Sequence, residues 1–217
     1  MISILLPVYN GEKYIRQSID SIAAQTFKDW ELLVGFNGTT DSSKDILAEY
    51  NDLRIKVFDY GEDKGKAKTL NKLIKEAKYD WIALQDDDDV WLPTKLEKQI
   101  TYMKEYDVIG TFIRYINEDS QPGGTPNLAT TYQDIKNRSL SGDNQTANTT
   151  AIFKKSAALD IGGWDTSIDG IEDFDLWIRL LKKGYRFHNI PENLTLHRLH
   201  AESNFNTKPY DPKSILK

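Results

Sequence analysis

Between Ile2 and Tyr106, short β-rich runs alternate with segments whose apolar residues recur at helical spacing. That alternation narrows the fold more than any other feature of the chain. Strands separated by helices pair in parallel through right-handed crossovers, and the resulting sheet needs helices on both faces. Ile2 to Val8 reads as the first strand, and Glu12 to Ala24 as a helix with Tyr14, Ile15, Ile19 and Ile22 on one face. Trp30 to Phe36 is a second strand, and Asp41 to Tyr50 a helix that Thr40 or Asp41 can cap. Arg54 to Tyr60 is the third strand, and Lys66 to Ala77 a helix with Leu70, Leu73, Ile74 and Ala77 at helical spacing. Asp80 to Leu84 is the fourth strand, followed by a helix from Leu92 to Tyr106 with Pro93 in its first turn.

The second half reads as mixed. Asp107 to Asn117 predicts a long strand, Ser120 to Thr131 a loop, and Thr149 to Lys154 another strand. Glu172 to Lys183 is a helix stopped by Gly184. Tyr185 to Ile190 and Thr195 to His200 predict two short strands. With 217 residues and no repeat, the expectation is a single domain over 1–217.

Composition removes several classes. A formal net charge of −5 argues against a general affinity for nucleic acid or anionic membranes, so an anionic substrate would need a local cation or metal. The absence of cysteine excludes disulfides, thiolate metal sites and cysteine nucleophiles, and permits a reducing compartment. The apolar opening lacks a basic flank and is too short for a signal peptide or a span; no other run approaches membrane length.

The run Asp86-Asp87-Asp88-Asp89 follows the apolar strand Trp81 to Leu84. Four adjacent carboxylates repel one another, and an acidic run is most often a solvated turn. Here it falls at the carboxyl end of a strand, where open α/β sheets bind ligands. Carboxylate oxygens suit Mg²⁺ or Mn²⁺, ions that bridge protein acids to substrate phosphates.

Taken in order, several segments resemble family 2 glycosyltransferases nearly end to end. They are Ile4-Leu5-Leu6-Pro7-Val8-Tyr9-Asn10-Gly11, Ser21-Ile22 through Gln25-Thr26-Phe27, and Asn37-Gly38-Thr39-Thr40-Asp41. Lys64-Gly65 with Asn71, Asp86 to Pro93, Gly162-Gly163-Trp164-Asp165 and Glu172 to Trp177 complete the pattern. The resemblance implies the A-type glycosyltransferase fold, a Rossmann-like α/β architecture with a mixed, mainly parallel sheet flanked by helices. It implies a nucleotide-binding half over about 1–106 and an acceptor-binding, catalytic half over about 107–217. Two positions depart from it: Phe36-Asn37 replaces an acid pair after the second strand, and Asp63 stands where asparagine is common.

The activity so implied is inverting transfer of a sugar from a nucleotide-sugar donor, a uridine one, to a hydroxyl acceptor, glycan or lipid-linked. Pro7, Tyr9, Asn37, Lys68, Asp86, Asp87 and Asp88 are the expected donor contacts. Asn37 offers both a donor and an acceptor to a uracil edge. Lys64, Lys66 and Lys68 are in reach of phosphate or base, although lysines at an exposed helix start are usually just solvated. Asp88 and His200, the latter in Arg198-Leu199-His200 with Ser203 beyond, are the expected ligands of Mn²⁺ or Mg²⁺. Asp173 is the expected general base, with Glu172 supporting it or orienting the acceptor; both also suit a helix start as ordinary capping acids. Large aromatics are more often core, which fits Trp177, whereas Trp164, on the loop before the base, is the expected acceptor contact. The expected location is cytoplasmic, with the acceptor as the route to a membrane surface. Two alternatives stand beside this reading. One is a non-catalytic nucleotide-sugar or glycan-binding module of the same fold. The other is a haloacid-dehalogenase-type phosphatase, whose short pattern Asp86-x-Asp88-x-Val90 also satisfies, although that motif normally ends the first strand of its domain.

Overall fold

The computed structural model describes residues 1–168, 170–201 and 215–216. In chain order its first half comprises β1 (Ile2–Val8), α1 (Ile15–Ala23), β2 (Trp30–Phe36), α2 (Ser43–Ala48), β3 (Ile55–Asp59), α3 (Lys66–Glu76) and β4 (Trp81–Leu84). There follow β5 (Val90–Trp91), α4 (Lys95–Ile100), β6 (Val108–Ile116), α5 (Tyr132–Leu140), β7 (Ile152–Lys154), α6 (Lys155–Asp160), α7 (Glu172–Lys183) and β8 (Phe187–Arg198). The strands form one eight-stranded sheet in the order β3-β2-β1-β4-β7-β6-β8-β5. β1 to β4 are parallel, as the βα alternation predicts; β7 turns antiparallel between β4 and β6, and β8 runs parallel to β6.

The two-residue side-chain period of β1 divides the core. Ile2, Ile4, Leu6 and Val8 pack on one face with Ile15, Ile19 and Ile22 of α1 and Leu96 of α4. Leu5 packs on the other with Leu70, Leu73 and Ile74 of α3 and Leu176, Trp177 and Leu180 of α7. Because both faces are covered, every residue of β1 and β2 is buried, which is why these strands read as mainly apolar runs, broken only by Ser3 and Glu31, whose side chains hydrogen-bond each other. Close seating of α3 on β2 depends on Gly35, where a Cβ would lie 2.7 Å from Thr69 Cγ2. At the far end, Gly184 adopts φ 96° and closes α7, the left-handed position where glycine carries no Cβ penalty.

Several boundaries differ from expectation. The segment after the acidic loop begins as strand: Val90 and Trp91 pair with Leu196 and Thr195 of β8, and helix starts only at Lys95. Trp91 gains by it, since its ring is buried and its Nε1 donates to Thr149 O at 2.8 Å. Pro93 therefore precedes the helix. α5 and α6 have no counterpart in the sequence reading. The two short strands expected after Gly184 are one strand, β8, whose register with β6 shifts around Phe112.

Candidate active site

The carboxyl ends of β1, β2 and β4 and the first turns of α3 and α7 open onto one cleft of about 1290 Å³. Pro7 and Tyr9 reach it from the end of β1, Asn37 from β2, and Asp86 to Asp88 from β4. Parallel strands bring their ends together at such an edge, so residues distant in sequence converge there.

The four aspartates have different fates. Asp86 accepts two hydrogen bonds from Asn148 Nδ2, at 3.0 and 3.2 Å, and pairs with Lys66 Nζ at 2.5 Å. Asp87 packs against Gly11, where a Cβ would lie 2.5 Å from its Oδ2, and burial with the charges of Asp88 and Asp86 pushes its carboxyl well up. Asp88 Oδ2 lies 2.9 Å from His200 Nε2. Burial opposes the Asp88 charge, but that hydrogen bond and the nearby His197 and Lys66 hold its carboxyl below the usual range. Asp89 turns inward and is fully buried, with Oδ2 2.9 Å from His197 Nδ1 and Oδ1 accepting the Arg198 N–H at 2.8 Å. Burial works against a charged His197, yet Asp89 holds its imidazolium up to about 9. Asp89 thus ties the acidic loop to the end of β8.

Arg198 reinforces that tie. Its buried guanidinium donates to Asp88 O at 2.9 Å, Asn117 O at 3.0 Å and Gln17 Oε1 at 2.6 Å, and lies 4.4 Å from the Tyr14 ring centre.

α7 presents three acids in its first turn, where the helix dipole favours negative charge. Asp175 is committed to Arg179 Nε at 2.8 Å. Glu172 Oε1 lies 3.9 Å from Lys66 Nζ, and its buried Oε2 has no hydrogen-bond partner among the described residues. Asp173 faces the cleft. Burial and the Glu172 charge push its carboxyl up to about 7, against the opposing pull of Lys66 and the Phe174 N–H. A carboxyl poised near neutrality is suited to exchange a proton at working pH.

Pro7, Tyr9, Asn37, Asp86, Asp87, Asp88, Glu172, Asp173 and His200 all line the cleft. Two expected contacts are corrected. Lys68 lies off the cleft, paired with Asp63 at 3.0 Å, because it is on the outward side of α3. Trp164 is 2% exposed and packs edge to face on Phe153 at 6.0 Å, so its ring is core and not a platform for an acceptor. Asn71 fixes that segment by bonding Trp164 N and O at 3.0 and 2.7 Å. Trp177 is core, as expected. Asn148, the partner of Asp86, escaped the sequence reading altogether. Ser203 lies outside the described residues.

Among the described residues no group of three or more His, Cys, Asp or Glu side chains converges on one point. Asp88 and His200 supply one carboxylate and one imidazole, a donor set that fits Mn²⁺ or Mg²⁺ only if substrate phosphates and water complete the shell.

The sequence model described as Glycosyl transferase family 2 matches residues 3–162. The chain is 36% identical over 210 residues to the O-antigen biosynthesis glycosyltransferase WbnJ of Escherichia coli, covering 94% of this chain and 81% of that protein. It is 29% identical to WfaP of the same organism, a UDP-Glc:alpha-D-GlcNAc-diphosphoundecaprenol beta-1,3-glucosyltransferase, over 94% of this chain and 79% of that one. Among solved structures it superposes on S. aureus TarS 1-349 in complex with UDP-GlcNAc with a TM-score of 0.79 at 19% identity. That superposition covers 99% of this chain but 63% of the longer one, and it establishes the A-type glycosyltransferase fold. The phosphatase alternative fails on this topology, since Asp86 follows the fourth strand and three βα units precede it. A match over most of the chain, in a fold that carries its acidic loop at the expected strand end, places this protein in glycosyl transferase family 2.

Proposed function

We propose that the protein transfers one sugar, with inversion, from a uridine nucleotide sugar to a hydroxyl of a glycan or lipid-linked acceptor. The observation that carries this reading is one cleft holding both an acidic loop suited to a nucleotide diphosphate and a separate carboxyl, Asp173, that titrates near neutrality. Residues 1–106 supply most of the nucleotide side, and 107–217 the base and the acceptor side. Asp86 takes hydroxyls of the donor ribose or sugar, with Asn148 fixing its orientation. Asn37 Oδ1 is buried and unpartnered, which supports a hydrogen bond from the imide N–H of uracil. Asp88 and His200 would hold a divalent ion, which when bound supplies Lewis-acid stabilisation to the departing diphosphate. Asp173 takes the acceptor proton as the hydroxyl attacks the anomeric carbon from the side opposite the leaving group, and Glu172 orients the acceptor.

The name of WfaP supports a lipid-diphosphate-linked acceptor, and Ile113, Leu128 and Leu199 give the cleft apolar contacts for one. No helix among the described residues is long and apolar enough to cross a membrane. The reading is of a cytoplasmic enzyme that meets the membrane through its acceptor. The test is incubation with UDP-glucose, UDP-N-acetylglucosamine or UDP-galactose, Mn²⁺ and a polyprenyl-diphosphate-linked sugar, with the product's anomeric configuration read by NMR. A β-linked product from an α-linked donor is expected. Tight UDP-sugar binding without turnover on any acceptor of this class would favour the binding-module alternative.

A further inference from the structure

Lys66 is the first residue of α3, set there by Gly65 at φ 126°. α3 has no acid in its first turn, so a lysine at that end meets the positive pole of the helix dipole without local relief. Relief comes from other elements: Asp86 lies 2.5 Å from Nζ and Glu172 3.9 Å. Lys66 therefore stands between the acidic loop and the start of α7, and both its partners line the cleft.

We propose that Lys66 is a positioning residue for transfer, a cation held between the acidic loop and the first turn of α7 that favours the charged form of the base beside it. The assignment rests on the reading of Asp173 as base. Among the described residues, the charges that act most strongly on Asp173 are Glu172 from its own helix, Asp86 from the acidic loop and Lys66 from α3, with the Phe174 N–H donating to it. Two of those three charges repel an ionised Asp173, and Lys66 attracts it. Burial and Glu172 already bring the Asp173 carboxyl to about 7 with Lys66 in place. Without the ammonium the base would keep its proton further into the alkaline range and lose competence at neutral pH. A lysine that only stabilised the fold would leave that titration unmoved.

Carboxyl carbon NMR of ¹³C-aspartate-labelled protein reads the point directly, with the Asp173 resonance assigned by its loss in Asp173→Asn. Wild type, Lys66→Met, Lys66→Gln and Lys66→Arg are titrated, each checked for cooperative melting. We expect the Asp173 midpoint to rise by a unit or more in Lys66→Met or Lys66→Gln and to stay near wild type in Lys66→Arg. A folded Lys66→Met or Lys66→Gln with an unchanged midpoint overturns the proposal. The readout needs no turnover, so an absence of sugar transfer by wild type would count against the proposed function and leave this titration legible.

Discussion

The imidazole Nε2 of His200 lies 2.9 Å from Oδ2 of Asp88, joining the segment after the last strand to the acidic loop 112 residues earlier. Two donors so close can serve one cation, and neither encloses it. Affinity for the nucleotide diphosphate should therefore depend on a divalent ion through Asp88. In calorimetric titrations with UDP, Mn²⁺ should strengthen binding to wild type, and Asp88→Ala should abolish that gain. Equal affinity with Mn²⁺ and with chelator would remove the metal from the account.

Asp89 is tied into the scaffold of the site. Its two oxygens satisfy His197 and the Arg198 backbone inside the protein. Asp89→Ala leaves both donors unmatched, and loss of a hydrogen bond to a charged group costs about 1.5–3 kcal/mol. Denaturant melts should show that loss, whereas a change within about 0.5 kcal/mol would mean the tie is dispensable.

Asn37 tests the identity of the base. If its buried Oδ1 reads uracil, Asn37→Ala should weaken UDP by about 1 kcal/mol, the net worth of one hydrogen bond, and leave pyrophosphate affinity unchanged. Wild type should also prefer UDP. GDP or dTDP binding tenfold tighter than UDP, about 1.4 kcal/mol, contradicts the assignment.

The elements that were legible carry local signals. Trp30 to Phe36 and Glu172 to Lys183 match their elements end to end, the former through a mainly apolar run broken only by Glu31 and the latter through helical spacing closed by Gly184. Acid position relative to a strand end, together with the family resemblance, pointed to Asp86, Asp87 and Asp88, and all three line the cleft. The misses are tertiary. Trp164 lies on the loop before the base, and nothing in its neighbours reveals that it shares a core with Phe153 and Trp177. Lys66 and Lys68 look equivalent in sequence, yet helical rotation sends one to Asp86 and the other to Asp63. Asn148 acts across 62 residues on Asp86, a relation no local pattern carries. Val90 and Trp91, left unassigned in the sequence reading, became strand because β8 offered an edge, and the helix expected from Leu92 starts only at Lys95.

The raised affinity of Asp173 for its proton has a sign for stability. Its carboxyl holds a proton more tightly folded than unfolded. The stability this contributes is complete below the ordinary value of 3.8 and is lost as pH rises through about 7. Asp173→Asn cannot titrate. Its melting temperature should climb relative to wild type across that window and hold a constant advantage above it. A variant that melts lower than wild type at about pH 8 would show that the carboxylate stabilises the helix start instead.

The measurement that bears most directly on the site is sugar transfer by wild type and Asp173→Asn across pH, at saturating Mn²⁺, alongside UDP affinity for both. A base must be ionised before attack, so wild-type kcat/KM should rise with pH through about 7. Asparagine keeps the shape and removes the basicity, so turnover should fall by about 10²–10⁴-fold while UDP affinity changes little. A folded, UDP-binding Asp173→Asn protein that turns over near the wild-type rate, with the same rise in pH, would contradict the account and move the base to another group, Glu172 first.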